Sequence, residues 1–291
     1  MKATPGSKTK TQVWVVENGQ VQSRSDRLAT EEPLEIRLIV AGMRRTIAIT
    51  MRTPGNDFEL AAGFLYSEGV INSRQDIQRM THCTDPGVDI ENHDNIVNVE
   101  LAGNVCPDLV SLERHFYTTS ACGVCGKTSL EALRLQRSPV ITEGPAVSTE
   151  IFYSLPEKLR SAQRVFATTG GLHAAALFDA EGKLLALRED VGRHNALDKL
   201  IGWAILGDYL PLSSNIVMVS GRTSFEILQK CLVASVPIVC AVSAPSSLAV
   251  ALAQEFGITL IGFLRGERFN VYSAVERILA KVTVEVLSSE S

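Results

Sequence analysis

Short, unbroken apolar runs dominate the second half of this chain, each followed by a stretch whose apolar residues recur every three to four positions. Ile216–Val219 and residues 237–242 and 258–263 read as strands buried on both faces, while Phe225–Val233 and Ser247–Phe256 read as the helices that cover them. A hairpin is expected over His173–Phe178 and residues 184–187, turning through 179–183, with a helix over 195–201. Strands alternating with amphipathic helices predict a layered α/β fold with a mixed sheet and at least some parallel pairing.

The first half reads differently. Apolar stretches at 13–16, 34–40 and 46–51 predict strands separated by polar turns. Thr53-Pro54-Gly55-Asn56-Asp57 reads as a turn that opens a helix running from Phe58 through Leu60, Ala61, Phe64 and Leu65, with Gly69 near its stop. Further strands are expected at 77–80 and Ile96–Leu101, and a helix over 130–135. The loop-rich stretch 138–148 marks a soft boundary. The division expected is a flexible tail over 1–12, a smaller N-terminal α+β domain over 13–147, and a C-terminal α/β domain over 148–291. There is no internal repeat of fixed period.

Composition narrows the function classes. The 291 residues are 45% apolar and 21% charged with a formal net charge of -4, which describes a soluble globular protein and argues against broad nucleic-acid binding. No apolar run reaches membrane-spanning length, and the basic N-terminal residues have no apolar core behind them, so neither a membrane span nor a signal peptide is expected. The expected address is cytoplasmic and reducing, where six cysteines need not pair. Cys231 and Cys240 lie in apolar stretches and read as buried small hydrophobes, and neither Cys83 nor Cys106 has a close-spaced second thiol.

Cys122-Gly123-Val124-Cys125 is the chemically sharpest motif. Two thiols at this spacing hold half of a metal site, cycle between dithiol and disulfide, or carry sulfur as a persulfide. Lys127 and the helix expected just downstream favour thiolate over thiol. A thioredoxin-like role is weakened by context, since no Trp precedes Cys122 and no Pro separates the thiols. A zinc deaminase signature is absent: Ala121 stands where its proline belongs, and His115 has Tyr117 in place of the glutamate.

Four polar clusters follow predicted strands or lead into them, where open α/β sheets place ligands. Thr168-Thr169-Gly170-Gly171-Leu172-His173 is either a tight turn or a backbone approach to a phosphate or planar ring. The segment 188–195, with Asp198 and Lys199 one turn on, is denser in Arg, His and Asn than a helix cap needs, which favours binding or catalysis. Ser220-Gly221-Arg222-Thr223-Ser224 offers amide donors and a charge to an anion, or a capping box of Thr223 with Glu226. Ser243 through Ser247 repeats that scheme. In the fourth cluster Arg265 and Arg268 flank Gly266 beyond a strand, placed to clasp a phosphate or to form an exposed charged turn.

Taken together, these segments resemble a family. Ser120-Ala121-Cys122-Gly123-Val124-Cys125-Gly126-Lys127 resembles the CGVCG core of the formate dehydrogenase accessory sulfurtransferases, the FdhD-type proteins. Thr53 through Leu60, Thr169 through Ala175, Arg188 through Lys199, Ser220 through Ser224, Ala241 through Ser247 and Gly262 through Arg268 match in the same order, from about residue 35 to 272. The resemblance implies a homodimeric sulfur carrier that takes sulfur from a cysteine desulfurase as a persulfide on Cys122. It implies transfer to the molybdenum cofactor, bis-molybdopterin guanine dinucleotide, for the formate dehydrogenase catalytic subunit. It also implies a C-terminal domain similar to the cytidine deaminase fold, and a cofactor-binding loop of Phe263, Leu264, Arg265, Gly266, Glu267 and Arg268. Cys125 would share the sulfur or release it as sulfide, Arg222 would assist with the pyrophosphates, and His194 and Asp190 would orient the cofactor or move protons.

Overall fold

Strand β1 (Lys8–Glu17) pairs antiparallel with β2 (Gln20–Ala29), and both residues of the turn, Asn18 and Gly19, take positive φ of 52° and 77°. Asn-Gly is the preferred pair for this two-residue hairpin turn. The structure is a computed structural model and describes residues 6–40, 42–103, 105 and 140–280. The expected tail over 1–12 is therefore shortened, because the ladder to β2 gives Lys8 through Gln12 strand partners. The hairpin is largely exposed, including Trp14 and Val16.

Beyond it, β3 (Glu32–Val40), β4 (Met43–Arg52), β5 (Ile77–His82) and β6 (Ile96–Leu101) form a four-stranded sheet in the order β4-β3-β6-β5. Alternation along β3 decides its faces. Leu34, Ile36 and Leu38 enter the core, while Glu35 and Arg37 pair on the opposite face, with Arg37 Nε donating to Glu35 Oε1 at 2.7 Å. Helix α1 (Asp57–Ser67) opens from Asn56 in the left-handed region and lays Leu60, Ala61 and Leu65 on that core.

The second unit is a six-stranded sheet between two helical layers. The strands are β8 (His173–Phe178), β9 (Leu184–Asp190), β10 (Ile216–Val219), β11 (Ile238–Ala241), β12 (Thr259–Arg265) and β13 (Arg268–Ser273). Their order is β13-β12-β11-β10-β8-β9; β10, β11 and β12 are parallel and the remaining pairings antiparallel. Helix α2 (Thr149–Ala162) covers one face with Phe152, Leu155 and Leu159, packed on Ala176, Met218, Cys240 and Ile261. Helices α4 (Arg193–Leu206), α5 (Phe225–Val233) and α6 (Ser247–Phe256) cover the other, over Ala175, Val217, Val239 and Leu260. Both faces are apolar, as parallel strands require. A short helix α3 (Phe166–Thr169) leads into β8, and β7 (Val147–Ser148) pairs with β14 (Ile278–Leu279). The elements β2, α2 and β13 were not anticipated from the sequence pattern.

The two units meet along α1 and α4. A Cβ on Gly63 would stand 1.9 Å from the Asp198 carbonyl oxygen, and one on Gly202 would stand 1.8 Å from that of Glu59. Each helix thus lends a glycine so that the other's backbone can approach. Among the described residues no helix is long and apolar enough to cross a membrane.

Candidate functional site

The polar segment 188–199, from the end of β9 into α4, divides between two environments. Asp190, Asn195, Asp198 and Lys199 are buried where α4 meets the first unit. Asp190 is fully buried; its Oδ2 accepts from Lys199 Nζ at 2.6 Å and Thr53 N at 3.1 Å, and its Oδ1 accepts from Gly192 N at 2.9 Å and Asn195 Nδ2 at 3.1 Å. Lys199 Nζ also donates to Thr53 O, and Asn195 Nδ2 to Met51 O, both at 2.8 Å. Asp198 accepts from Lys230 Nζ at 2.8 Å and Ser67 Oγ at 3.1 Å; burial pushes its carboxyl up, against the pull of the Lys230 ammonium. Arg188 pairs with Glu59 on α1. These groups hold the two units together. Asp190, expected to orient the cofactor or move protons, has its carboxylate already engaged by four donors away from solvent.

The other environment is the carboxyl end of β10, β11 and β12. Ser220 N donates to Ala174 O, and Ser220 Oγ accepts from Ala174 N at 2.8 Å, fixing the end of β10 beside His173. Thr223 N donates to Ala244 O and Ser246 N to Thr223 O, joining the loops that precede α5 and α6. The expected capping box is corrected: Ser224, not Thr223, is the cap residue of α5, and Thr223 Oγ1 is buried without a partner among the described residues. Ser246 does cap α6, accepting from Ala249 N at 3.2 Å.

His194, the second residue of α4, has its Nε2 at 3.2 Å from Ser224 Oγ and 3.9 Å from the Glu226 carboxylate. Burial, then the nearby Arg193 guanidinium, pull its pKa down to about 4. His173 is lowered for the same two reasons, with Asp190 opposing. Both imidazoles are therefore neutral at pH 7 and available for hydrogen bonds rather than charge.

Two neighbouring clefts open at this end. The larger, about 580 Å³, is lined by Arg160, Gln163, Phe166, the Gly170–Gly171 turn, His173 and Ser220 among others. The smaller, about 380 Å³, is lined by Phe263, Arg265, Arg268 and Asn270. Arg265 connects them, because its Nε donates at 3.1 Å to the carbonyl of Val242, a residue lining the larger cleft.

The expected cofactor loop is the β12–β13 turn. Arg265 and Arg268 are directly opposed across the two strands, both exposed. Opposed residues share a face, so both side chains leave the same side of the hairpin. Gly266 supplies a positive φ of 53°, and Glu267 is exposed. Phe263 is 43% exposed and has φ of 54°, a conformation costly for a bulky side chain. Leu264 departs from expectation: the bulge between Gly262 and Arg265 turns it inward, and it is fully buried with the α2 layer, unable to present its side chain to a ligand. Arg222 is exposed on the loop before α5 and lines neither cleft. Cys122 and Cys125 lie outside the described residues, as do Cys106, His115 and the helix expected over 130–135. Cys83, Cys231 and Cys240 are buried free thiols; burial pushes Cys231 up to about 12 and Cys240 further.

Comparison with known proteins decides the family, since the model for the FdhD/NarQ family matches residues 29–279. The chain belongs to the FdhD/NarQ family. Proteins named sulfur carrier protein FdhD from Streptomyces avermitilis and Streptomyces coelicolor are 54% and 52% identical to it. Those matches cover 90% and 92% of this chain and 93% and 95% of theirs. A solved formate dehydrogenase accessory protein from Desulfotalea psychrophila is 26% identical with a TM-score of 0.72, over 94% of this chain and 99% of its own. The family match takes in β3 through β14 and so both clefts, whereas β1 and nearly all of β2 precede it. Sequence reasoning missed Arg160, Gln163 and Phe166. The apolar spacing of Phe152, Leu155 and Leu159 after Ser148 was the available signal for α2, which carries the first of these.

Proposed function

We propose that the chain is a sulfur carrier that loads sulfur on Cys122 and delivers it to bis-molybdopterin guanine dinucleotide for a formate dehydrogenase. The relatives' names support the sulfur-carrying part, and the accessory-protein neighbour supports the dehydrogenase. The observation that carries the cofactor part is the pair Arg265 and Arg268. Like charges directly opposed across a hairpin repel, and these two have no acidic partner among the described residues. A pyrophosphate brought by a nucleotide would relieve that repulsion through charge-assisted hydrogen bonds.

The sulfur chemistry balances with the two thiols. A Cys122 thiolate attacks the terminal sulfur of a donor cysteine desulfurase's persulfide; the S–S bond breaks, the donor leaves as thiolate, and Cys122 holds the persulfide. For release, the Cys125 thiolate attacks Cys122 Sγ. A Cys122–Cys125 disulfide forms, hydrosulfide leaves toward the molybdenum cargo, and a dithiol reductant then resets the pair. In this reading the protein works in the cytoplasm as a homodimer. The C-terminal unit is read as cytidine-deaminase-like, supported by an antiparallel hairpin followed by three parallel strands.

Intact-mass analysis after incubation with a cysteine desulfurase and cysteine tests the carrier. The wild type gains one sulfur and Cys122→Ala gains none; a Cys122→Ala protein that still accepts sulfur and still matures formate dehydrogenase refutes the assignment. For the cofactor part, Arg265→Ala and Arg268→Ala each weaken GDP binding about tenfold or more, the scale of a lost charged hydrogen bond. Unchanged GDP titrations in both would remove the arginines from the reading.

A further inference from the structure

The hairpin β1–β2 sorts its residues by face. Alternation along the strands puts Lys10, Gln12, Trp14 and Val16 on one face, opposite Arg27, Ser25, Ser23 and Val21. Trp14, Val16 and Val21 are 75%, 68% and 61% exposed, and no side chain of the hairpin joins an apolar core among the described residues. The hairpin's two acids, Glu17 and Asp26, both fall on the other face, where Glu17 stands 3.9 Å from Arg24. Lys10 and Arg27 are exposed and directly opposed, with no acidic partner among the described residues. The two strands pair only with each other, so both outer edges carry backbone groups with no ladder partner among the described residues. A two-stranded ribbon of this kind is at best marginally stable alone. Its root is fixed: Lys8 Nζ donates to Arg164 O at 3.5 Å and Thr30 N to Ser7 O at 3.1 Å. A Cβ on Gly171, a residue lining the larger cleft, would stand 3.7 Å from Ala29 Cβ. The ribbon is therefore rooted at the lip of that cleft, and its turn lies about 30 Å along the strands from there.

We propose that the Trp14 face of this hairpin is the docking surface for the acceptor enzyme, a protein offering an apolar strip, acidic side chains beside it and a strand edge. The inference rests on the proposed function in one respect, that a dehydrogenase receives the cargo. Charge sets the partner's chemistry, because the face carries cations and apolar groups and no acid. The free edges favour a protein over a lipid surface: a partner strand can satisfy backbone donors and acceptors, and hydrocarbon cannot. A second copy presenting the same face would set Lys10 and Arg27 against their own kind. Position favours the acceptor over the sulfur donor. A partner held on the ribbon stands beside the clefts at the carboxyl end of the large sheet, where the proposed function places the cofactor. The family match begins at residue 29, so the shared chemistry lies in the shared part and the hairpin lies where sequence is free to follow one particular partner.

The test uses the full chain, with the cofactor-free catalytic subunit of formate dehydrogenase from the same cells as the probe and interferometry as the readout. The wild type is expected to bind it, more weakly as salt rises. Trp14→Ser with Val16→Ser, and separately Lys10→Glu with Arg27→Glu, should each weaken binding about tenfold or more. Both double variants should still gain one sulfur from a cysteine desulfurase by intact mass, bind GDP and unfold at the wild-type temperature, since all four positions are exposed. Unchanged binding in both, or no binding by the wild type, overturns the proposal. Lost sulfur uptake in either variant would give the face to the donor instead. A halved mass by light scattering would give it to a second copy, and wild-type sedimentation with phosphatidylglycerol vesicles that the Trp14 variant lacks would give it to lipid; each of these also overturns the proposal. A wild type that takes up no sulfur refutes the carrier reading by itself, and the binding measurement stays separate from that result.

Discussion

The interface between α1 and α4 and the carboxyl end of the large sheet are built from similar residues and have opposite character. At the interface Asp190, Lys199, Asp198 and Lys230 are buried, and each carboxylate meets an ammonium as well as a neutral donor. At the sheet end Arg265 faces Arg268, the Gln163 amide nitrogen and Arg193 Nε have no partners among the described residues, and two histidines are held neutral. A polar group whose needs are met inside the chain stabilises the fold. One whose needs are unmet, in a cleft, points to something that arrives. The difference lies in completeness of partnering, not in residue type.

The sharpest way to break the first half of that comparison is to remove one member of a buried pair. Lys199→Met leaves Asp190 as a charge buried without its ammonium and also frees the Thr53 carbonyl. The expected loss is about 3–5 kcal/mol in urea unfolding. A loss under about 1 kcal/mol would mean that the interface tolerates unmet charge, and the contrast with the sheet end would lose its physical basis.

That division explains what could be read from the sequence. The buried strands β10 and β11 and the helices α5 and α6 were legible because unbroken apolar runs and 3.6-residue periodicity are local signals. Strand β2 was not, since Gln20–Ala29 carries no apolar alternation and only the Asn18-Gly19 pair announced the hairpin. Helix α2 was hidden by Pro156 within it. The polar segment 188–199 was legible as unusual but not as structural, because its partners Thr53, Ser67 and Lys230 come from elements distant in sequence. The arginine pair was legible from its spacing around Gly266. The inward turn of Leu264 was not, because a bulge shifts the pleat without a local signal.

A smaller effect is expected from pH. His194 has its folded-state pKa lowered to about 4, mainly by burial and then by Arg193 and Lys230, with Glu226 opposing, whereas an unfolded chain titrates near 6.5. Between those values the unfolded state binds the extra proton, so stability falls as pH drops from about 6.5 toward 4 and is flat above that window. Since 35% of the imidazole is open to solvent, the contribution is on the order of 1 kcal/mol. His173 adds a slope of the same sign. Unfolding curves of His194→Gln at pH 7 and pH 5 should differ less than those of the wild type. An equal or steeper slope in the variant would show that His194 is not held neutral.

The smallest effect sharpens the comparison most. Removing one of two opposed arginines at the sheet end deletes no internal partner of its neighbour, and it relieves a like-charge pair worth about 0.2–1 kcal/mol. Arg268→Ala should therefore leave stability unchanged or raise it slightly, although the same substitution weakens GDP binding. Arg265→Ala should gain less, since it also gives up the hydrogen bond to the Val242 carbonyl. If thermal unfolding shows Arg268→Ala destabilised by more than about 1 kcal/mol, the guanidinium has a role inside the fold. The sheet end would then be a second structural network rather than a surface kept incomplete for a ligand.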